Sequence, residues 1–273
     1  MRFARSLITI AALALMSQGA VGPARAACDE ALAFRHQLQN GSTAVTRLNG
    51  LALKFRSPLA VNTDGAPNAY HIDGRPGGAL NTLCNAGRAM SAVHGIYEGQ
   101  ENCEMFLADV KAAQQNGWHG SPRIVWHGIV TKDKTRHEPV VQNSGEYAGY
   151  FVSATSLQNK AFREDDQRRY LDARVVPSLV LPRQSAFLSD GGMKLGEASI
   201  ALAAAIKGRN IDPKSLTGKD ARKLVVPQQV VTVLFPGHAV QPPYDAARIA
   251  EAAAEVIDDF GGLDRLKQCA AQP

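Results

Sequence analysis

The segment SDGGMKLGEASI, residues 189–200, sets two carboxylates, Asp190 and Glu197, on either side of a glycine-rich turn. A surface turn accounts for the glycines but has no need of both acids. Two carboxyl groups facing one cleft can divide proton transfer between them, one giving and one taking. Hydrolysis of a glycosidic bond commonly uses such a pair, about 6.5–9.5 Å apart for inversion and about 5–5.5 Å for retention. An Asp ending a strand and a Glu across a glycine turn can meet either spacing. If a helix begins near Glu197, its N-terminal dipole favours the charged form. Glu197 is then the base and Asp190 the acid, unless burial of Glu197 outweighs the dipole. The competing structural role is that Glu197 only caps or neutralises a helix start, with Asp190 an ordinary turn residue. Other chemistries lack their signatures. Ser199 has no G-x-S-x-G around it, and the seven histidines include no H-E-x-x-H. No glycine-rich phosphate loop is present, so neither a metal nor a nucleotide cofactor is assigned.

The elements that must hold these groups are short. Residues 28–38 (CDEALAFRHQL) read as an opening helix, and 39–50 as a loop punctuated by Asn40-Gly41 and Asn49-Gly50. Residues 51–61 suggest an extended segment edged by Pro58, followed by a dense turn region over 62–78. Met105, Phe106, Val110 and Ala113 fall at helical spacing within 102–115, with Asn116-Gly117 as the stop. Strands are expected at 123–130, 147–157, 173–182, 184–190 and 225–237. REDDQRR, 163–169, reads as a solvated charged turn. Helices are expected at 201–208 and, with a break at Gly261-Gly262, at 244–270. Short strands with inserted and appended helices indicate an α+β fold, mainly antiparallel, built on a small sheet or barrel.

Residues 1–26 read as a secretory signal: Arg2 and Arg5, the apolar run Leu7 to Met16, then Ala24-Arg25-Ala26. The run is too short to span a bilayer, which takes about 20 apolar residues, so no stable membrane insertion is expected. Cys28 lies near the cleavage point, but Arg25 stands where lipoprotein signals carry Leu or Val. The expected location is therefore secreted or periplasmic, with residues 27–273 forming a single domain with helical extensions at both ends. Four cysteines remain in an oxidising compartment, none in a C-x-x-C pair. Of the three possible pairings, Cys84–Cys103 closes a local loop and leaves Cys28–Cys269 to tie the ends, which restricts the unfolded chain most. Removing residues 1–26 takes away three arginines and no acids, lowering the formal net charge from +5 to about +2. That value supports neither a nucleic-acid partner nor a polybasic membrane surface.

GEASIALA, 196–203, resembles the GEASISLA-type motif of the fungal chitosanases of glycoside hydrolase family 75, and the GEGSIALA-type string of secreted bacterial relatives. Three more stretches resemble that family in the same order. VNTDGAPNAYH, 61–71, is similar to its Asp-Gly loop, GYFVSATSL, 149–157, to its YVS-x-T-x-L strand, and DARVVPSLVLP, 172–182, to its next strand, which ends at proline. The likeness covers roughly residues 50–240. It implies a family-75-like catalytic domain with Asp190 and Glu197 as the catalytic pair, and inversion at the anomeric carbon. It also implies endo-cleavage of β-1,4-linked glucosamine (chitosan), no cofactor, and a barrel of the double-psi kind. Two departures stand out. Pro182 to Ser185 leave almost no room for the extra strand or hairpin that relatives carry, and the turn between the two acids is shorter.

In this setting Asp64, first of all a turn residue, would line the substrate cleft and pair with a glucosamine ammonium. Tyr70 lies beside it, and Thr155 and Ser156 could hold a water or a sugar hydroxyl. His71 reads as scaffold, and Trp118 and Trp126 as core rather than stacking platforms. Chitosan is a polycation, so the cleft would need local acidity from Asp64, Asp73 and Asp190 against a mildly basic chain. Two alternatives share the same residues. One is a hydrolase of another amino-sugar polymer such as peptidoglycan; the other is a catalytically silent periplasmic glycan-binding protein, suggested by the missing hairpin.

Overall fold

The computed structural model describes residues 9–12, 28–38, 41–74, 78–133, 137–181 and 195–272. In chain order the elements are β1 (Thr9–Ala12), β2 (Glu30–Leu38), β3 (Gly41–Leu48), β4 (Ala52–Asn62), β5 (Gly87–Ser91) and β6 (Gly95–Glu98). Next come α1 (Cys103–Gln115), β7 (Arg123–Trp126), β8 (Leu179–Val180), β9 (Glu197–Ser199) and α2 (Ile200–Ile206). The chain continues through α3 (Gly218–Arg222), β10 (Val226–Phe235), α4 (Ala246–Asp259) and α5 (Leu263–Ala271). The fold is α+β with mainly antiparallel pairing. The described residues gather into two compact units, one from Met1–Asn62, Val175–Asn210 and Leu224–Pro273, the other from Thr63–Arg174 and Ile211–Lys223.

In the first unit the strand order is β1-β10-β4-β3-β2, with β9 joined to β4 and β8 joined to β9. All pairs are antiparallel except β4–β9, which runs parallel. Among the described residues this sheet is open. Both of its faces are covered. Leu48, Ala52, Val233 and Phe235 pack with Val256, Phe260, Leu266 and Cys269 from the C-terminal helices. Val45, Leu53, Phe55 and Leu234 pack with Leu181 and Leu195 on the other face. The register of β10 against β4 shifts between Val226 and Val230, opposite Pro58. Proline has no N–H to give the ladder, and a bulge lets the partner strand pass it.

Two expectations are corrected here. Residues 28–38 do not form an opening helix; Glu30–Leu38 is a strand paired along its length with Gly41–Leu48, which is not a loop. The Ala- and Leu-rich composition of β2 suits a helix, but its neighbours decide otherwise. Ala33 and Phe34 pack on the core cluster beneath the sheet. Glu30 is ion-paired at 2.7 Å to Lys54 of β4, whose side chain is only 4% exposed. Asn49 (φ 49°) and Gly50 (φ 70°) form the turn between β3 and β4, so that Asn-Gly pair marks a hairpin rather than an extended loop. β1 lies inside the segment expected to be a removed signal, and pairs with β10 through Thr9↔Phe235 to Ala12↔Thr232. An exposed strand edge accepts such an extended apolar segment readily.

The second unit holds the sheet β6-β5-β7, antiparallel throughout, with α1 against it. Asn102 caps α1 by accepting from Met105 N at 3.1 Å, and the helix stops at Asn116-Gly117, where Gly117 has φ +64°. Trp126, 1% exposed, lies with its ring centroid 6.3 Å from that of Phe106 and 5.6 Å from that of Phe151. Trp118, half-buried, packs edgewise on it at 6.0 Å, and Trp126 is the core residue expected. Of residues 147–157, 147–149 form a turn and 150–155 make only single bridges, such as Val141↔Phe151 and Ile129↔Ser153, instead of the expected strand. The backbone bonds of this segment are spread over several partners: Phe151 N donates to Tyr70 O, Val152 N to Val140 O and Ala154 N to Gly128 O, while Gln167 accepts from Ser153 N and Gln142 donates to Phe151 O. Of the described residues 173–181 only Leu179–Val180 is a strand; the strand expected at 184–190 lies outside the described residues.

Both disulfides form as expected, Cys28–Cys269 in the first unit and Cys84–Cys103 in the second.

Candidate active site

Glu197 opens β9, a strand of three residues gripped on both sides. Ala60 and Val180 are its register partners, Ala60 N donates to Gly196 O at 2.7 Å, and Ser199 N donates to Ser178 O at 2.8 Å. Gly196 makes this possible. Its φ is +93°, and a Cβ there would lie 2.1 Å from Pro58 O and 2.5 Å from Ser57 Oγ. Only glycine fits that backbone and that gap. Ala198, Ser199 and Ile200 are buried, whereas the Glu197 side chain is partly exposed.

The helix start is the work of Ser199. Its hydroxyl accepts from Leu202 N (3.2 Å), accepts from Ser178 N (2.9 Å) and donates to Val176 O (2.9 Å). It is a cap and a loop tie, as its lack of a nucleophile motif suggested. α2 begins at Ile200 and has no acid in its first turn. Glu197 therefore sits two residues ahead of the cap, on a strand. A dipole effect confined to the first turn gives no ground for making Glu197 the base. Nor is Glu197 the helix cap. Asp190, the expected second acid, lies outside the described residues.

In the second unit the Asp64 loop is built around a tyrosine. Tyr70, 3% exposed, donates its hydroxyl to Asp64 Oδ1 at 2.6 Å. Burial first, then the nearby Asp64 charge, pushes the Tyr70 hydroxyl well above the usual tyrosine range. Asn81 Nδ2 donates to Thr63 Oγ1 at 3.2 Å, while Asn81 Oδ1 accepts from Thr82 N and Asn85 Nδ2. The Asp64 carboxylate is partly exposed and lies over Gly128 (φ +68°), where a Cβ would come within 2.7 Å of Asp64 Oδ2.

Gly65, φ +87°, is equally confined: a Cβ there would meet Leu171 O at 2.0 Å and Thr155 Cγ2 at 2.5 Å. Its N–H donates to Ser153 Oγ and its carbonyl accepts from Gln167 Nε2, both at 2.9 Å. Thr155 Oγ1 donates to Leu157 O and accepts from Leu171 N, so this hydroxyl closes the backbone. Ser156 follows it on an exposed turn.

Asp64, Tyr70 and Thr155 are thus brought together around one loop. Gly128, Ser153, Gln167 and Asn81 belong to the same construction but carried no sequence signal of their own, apart from Ser153 within YFVSATSL. Arg174 is another such residue. Buried, it pairs with Asp172 at 2.8 Å and donates to Asn68 Oδ1, Tyr147 OH and Pro213 O, tying the loops of this unit together. His71 packs edgewise on Tyr150 with ring centroids 4.7 Å apart, in keeping with a scaffold role. Among the described residues, no group of three or more His, Cys, Asp or Glu could hold a metal ion. No helix among them is long and apolar enough to cross a membrane. No protein-family model matches the chain, and no curated protein matches it.

Proposed function

We propose that the chain is an exported glycoside hydrolase acting within polymers of β-1,4-linked glucosamine, with Glu197 and Asp190 as its acid–base pair. The observation that carries this is the seating of Glu197. A partly exposed carboxylate opens a strand fixed on both sides, next to a glycine that no other residue can replace. The local structural task of capping α2 belongs to Ser199. Preorganised placement of this kind is what a proton-transfer group needs.

In the reaction, one carboxylic acid protonates the glycosidic oxygen as the C1–O bond breaks. The other carboxylate takes a proton from a water that bonds to C1 from the opposite face, so the configuration inverts. The water supplies both the hydroxyl at C1 and, through the base, the proton that restores the acid. A small barrel of the double-psi kind goes with this reading. The parallel contact of β4 with β9 inside an otherwise antiparallel sheet supports it, and so does the ordered succession of four family-75-like motifs. The two disulfides fit an oxidising compartment.

Proton NMR of fresh digests of soluble chitosan tests the stereochemistry. The α-anomer should appear first, and Asp190→Asn should abolish its release. Initial β-anomer would contradict inversion, and an undiminished rate in Asp190→Asn would remove Asp190 from the pair.

A further inference from the structure

The connection between β5 and β6 is short and held at every step. Ala92 N donates to Ser121 Oγ at 2.8 Å, and Val93 N and His94 N both donate to Ser91 Oγ at 3.3 Å. Gly95 then turns the chain at φ +79°. From this fixed loop His94 reaches α1, where its Nδ1 lies 3.3 Å from each carboxylate oxygen of Asp109. Asp109 is an acid in mid-helix whose side chain is only 8% exposed. Burying such a group is costly without partners. It has two, His94 and Tyr97, whose hydroxyl donates to Oδ2 at 2.7 Å. Burial first, then the bond to Asp109, pushes the Tyr97 hydroxyl above the usual tyrosine range, so it remains a donor.

A carboxylate only accepts, so the proton of a neutral His94 ring sits on Nδ1 and the lone pair on Nε2. The imidazole is thereby set in one tautomer and one orientation, yet 38% of its side chain is exposed. Val93 and Ile96, beside it in the loop, are also exposed and offer apolar surface next to that nitrogen. A neutral nitrogen that attacks an acyl carbon becomes positive. Here the far side of the ring faces a carboxylate that answers the new charge. Imidazole expels only weakly basic leaving groups, which selects aryl esters and other activated acyl donors over alkyl esters.

We propose that His94 is a nucleophilic site for activated acyl esters, with Asp109 and Tyr97 as its positioning residues. Nε2 bonds to the acyl carbon as the C–O bond to the leaving oxygen breaks, giving an acyl-imidazolium whose Nδ1–H stays on Asp109. Water then adds to that carbon, the C–N bond breaks, and the lone pair returns to Nε2. One proton of the water stays with the acid formed and the other goes to the departed oxygen, so ester and water give acid and alcohol. The site lies wholly in the second unit and is independent of the polymer reading.

Hydrolysis of p-nitrophenyl acetate by the disulfide-intact chain tests this, with His238, another exposed histidine, as the control. Release of p-nitrophenolate should fall about tenfold in His94→Gln and stay within about twofold in His238→Gln. Asp109→Asn still accepts from Tyr97 and His94 but carries no charge. It should lower release by about fivefold to tenfold, the difference between a hydrogen bond to a charged and to a neutral acceptor. A pair that merely ties the hairpin to α1 would lower the melting temperature of Asp109→Asn and leave release by the folded chain unchanged, and that result overturns the proposal. Diethyl pyrocarbonate followed by peptide mass mapping needs no variant: His94 should be acylated about fivefold faster than His238. Equal acylation of the two, or undiminished release by His94→Gln, likewise overturns it.

Discussion

Replacing Gly196 by alanine isolates the geometry that seats Glu197. Gly196 and Gly208 both have positive φ, +93° and +60°, but their surroundings differ. Nothing lies within 4 Å of a Cβ at Gly208, whereas one at Gly196 would sit 2.1 Å from Pro58 O. Backbone strain alone costs a non-glycine residue about 1–2 kcal/mol at such φ, and this is all Gly208→Ala should lose. At Gly196 the collision is with main-chain oxygen, which cannot rotate away. Relief requires β9 to move off β4 by about 1 Å, stretching the 2.7 Å bond from Ala60 N to Gly196 O. Losing that bond in a partly enclosed place adds about 1–3 kcal/mol, so Gly196→Ala should lose about 2–5 kcal/mol in all. Displacing a catalytic group by about 1 Å costs on the order of a hundredfold in rate. Urea unfolding followed by circular dichroism gives the two stabilities. Reducing-end release, measured where both variants are folded, gives the rates. Equal stability losses, within about 1 kcal/mol, would refute the steric reasoning. A destabilised Gly196→Ala with the parent's rate would break the link between this glycine and Glu197.

The two disulfides should differ in weight. Cys28–Cys269 spans 241 residues and Cys84–Cys103 spans 19, giving about 5.5 and about 3.2 kcal/mol on the chain-entropy relation. Paired Cys→Ala variants compared by urea unfolding should keep that order, and the reverse order would reject loop length as its cause. Ser199→Ala removes the cap of α2 together with its bonds to Ser178 N and Val176 O. It should lose about 2–4 kcal/mol, against about 1 kcal/mol for the exposed cap change Thr217→Ala, both read from unfolding midpoints. Glu30→Gln leaves the buried Lys54 ammonium without its carboxylate. It should lose about 3 kcal/mol, most of which Lys54→Met in the same chain should restore; a double variant no better than Glu30→Gln would argue against a stranded charge.

Local signals made part of the fold legible. The Asn102 start and Asn116-Gly117 stop bound α1, the apolar run marked β10, and Gly261-Gly262 separates α4 from α5. The cysteines paired as their spacing suggested. The β2–β3 hairpin escaped because its propensities mislead. β2 is rich in helix formers, and the Asn-Gly pairs bracketing β3 read as loop punctuation, whereas Asn49-Gly50 is the turn of a hairpin. What decides these residues is distant: Lys54 for Glu30, and Cys269 for Cys28. The candidate site divides in the same way. GEAS and TDGAPNAY each carry their own acid, and Asp64 and Tyr70 lie six positions apart in one motif. Their supports do not. Ser57 and Pro58 against Gly196, and Gly128 against Asp64, come from remote stretches with no pattern of their own. Likewise, the strand expected over 147–157 gave way to isolated bridges and backbone bonds to Tyr70, Gly128 and Val140, joined by side-chain bonds from Gln142 and Gln167, which periodicity does not encode.

The central claim is that Glu197 breaks glycosidic bonds in a glucosamine polymer. Reducing-end release from soluble chitosan, by the disulfide-intact chain from residue 27 onward and by its Glu197→Gln variant, tests it most directly. Release by the parent, and none by a variant that melts at the same temperature, is the predicted result. Equal release by a folded Glu197→Gln would contradict the role of this residue. No release by the folded parent would contradict the substrate and turn attention to peptidoglycan, and then to glycan binding without turnover.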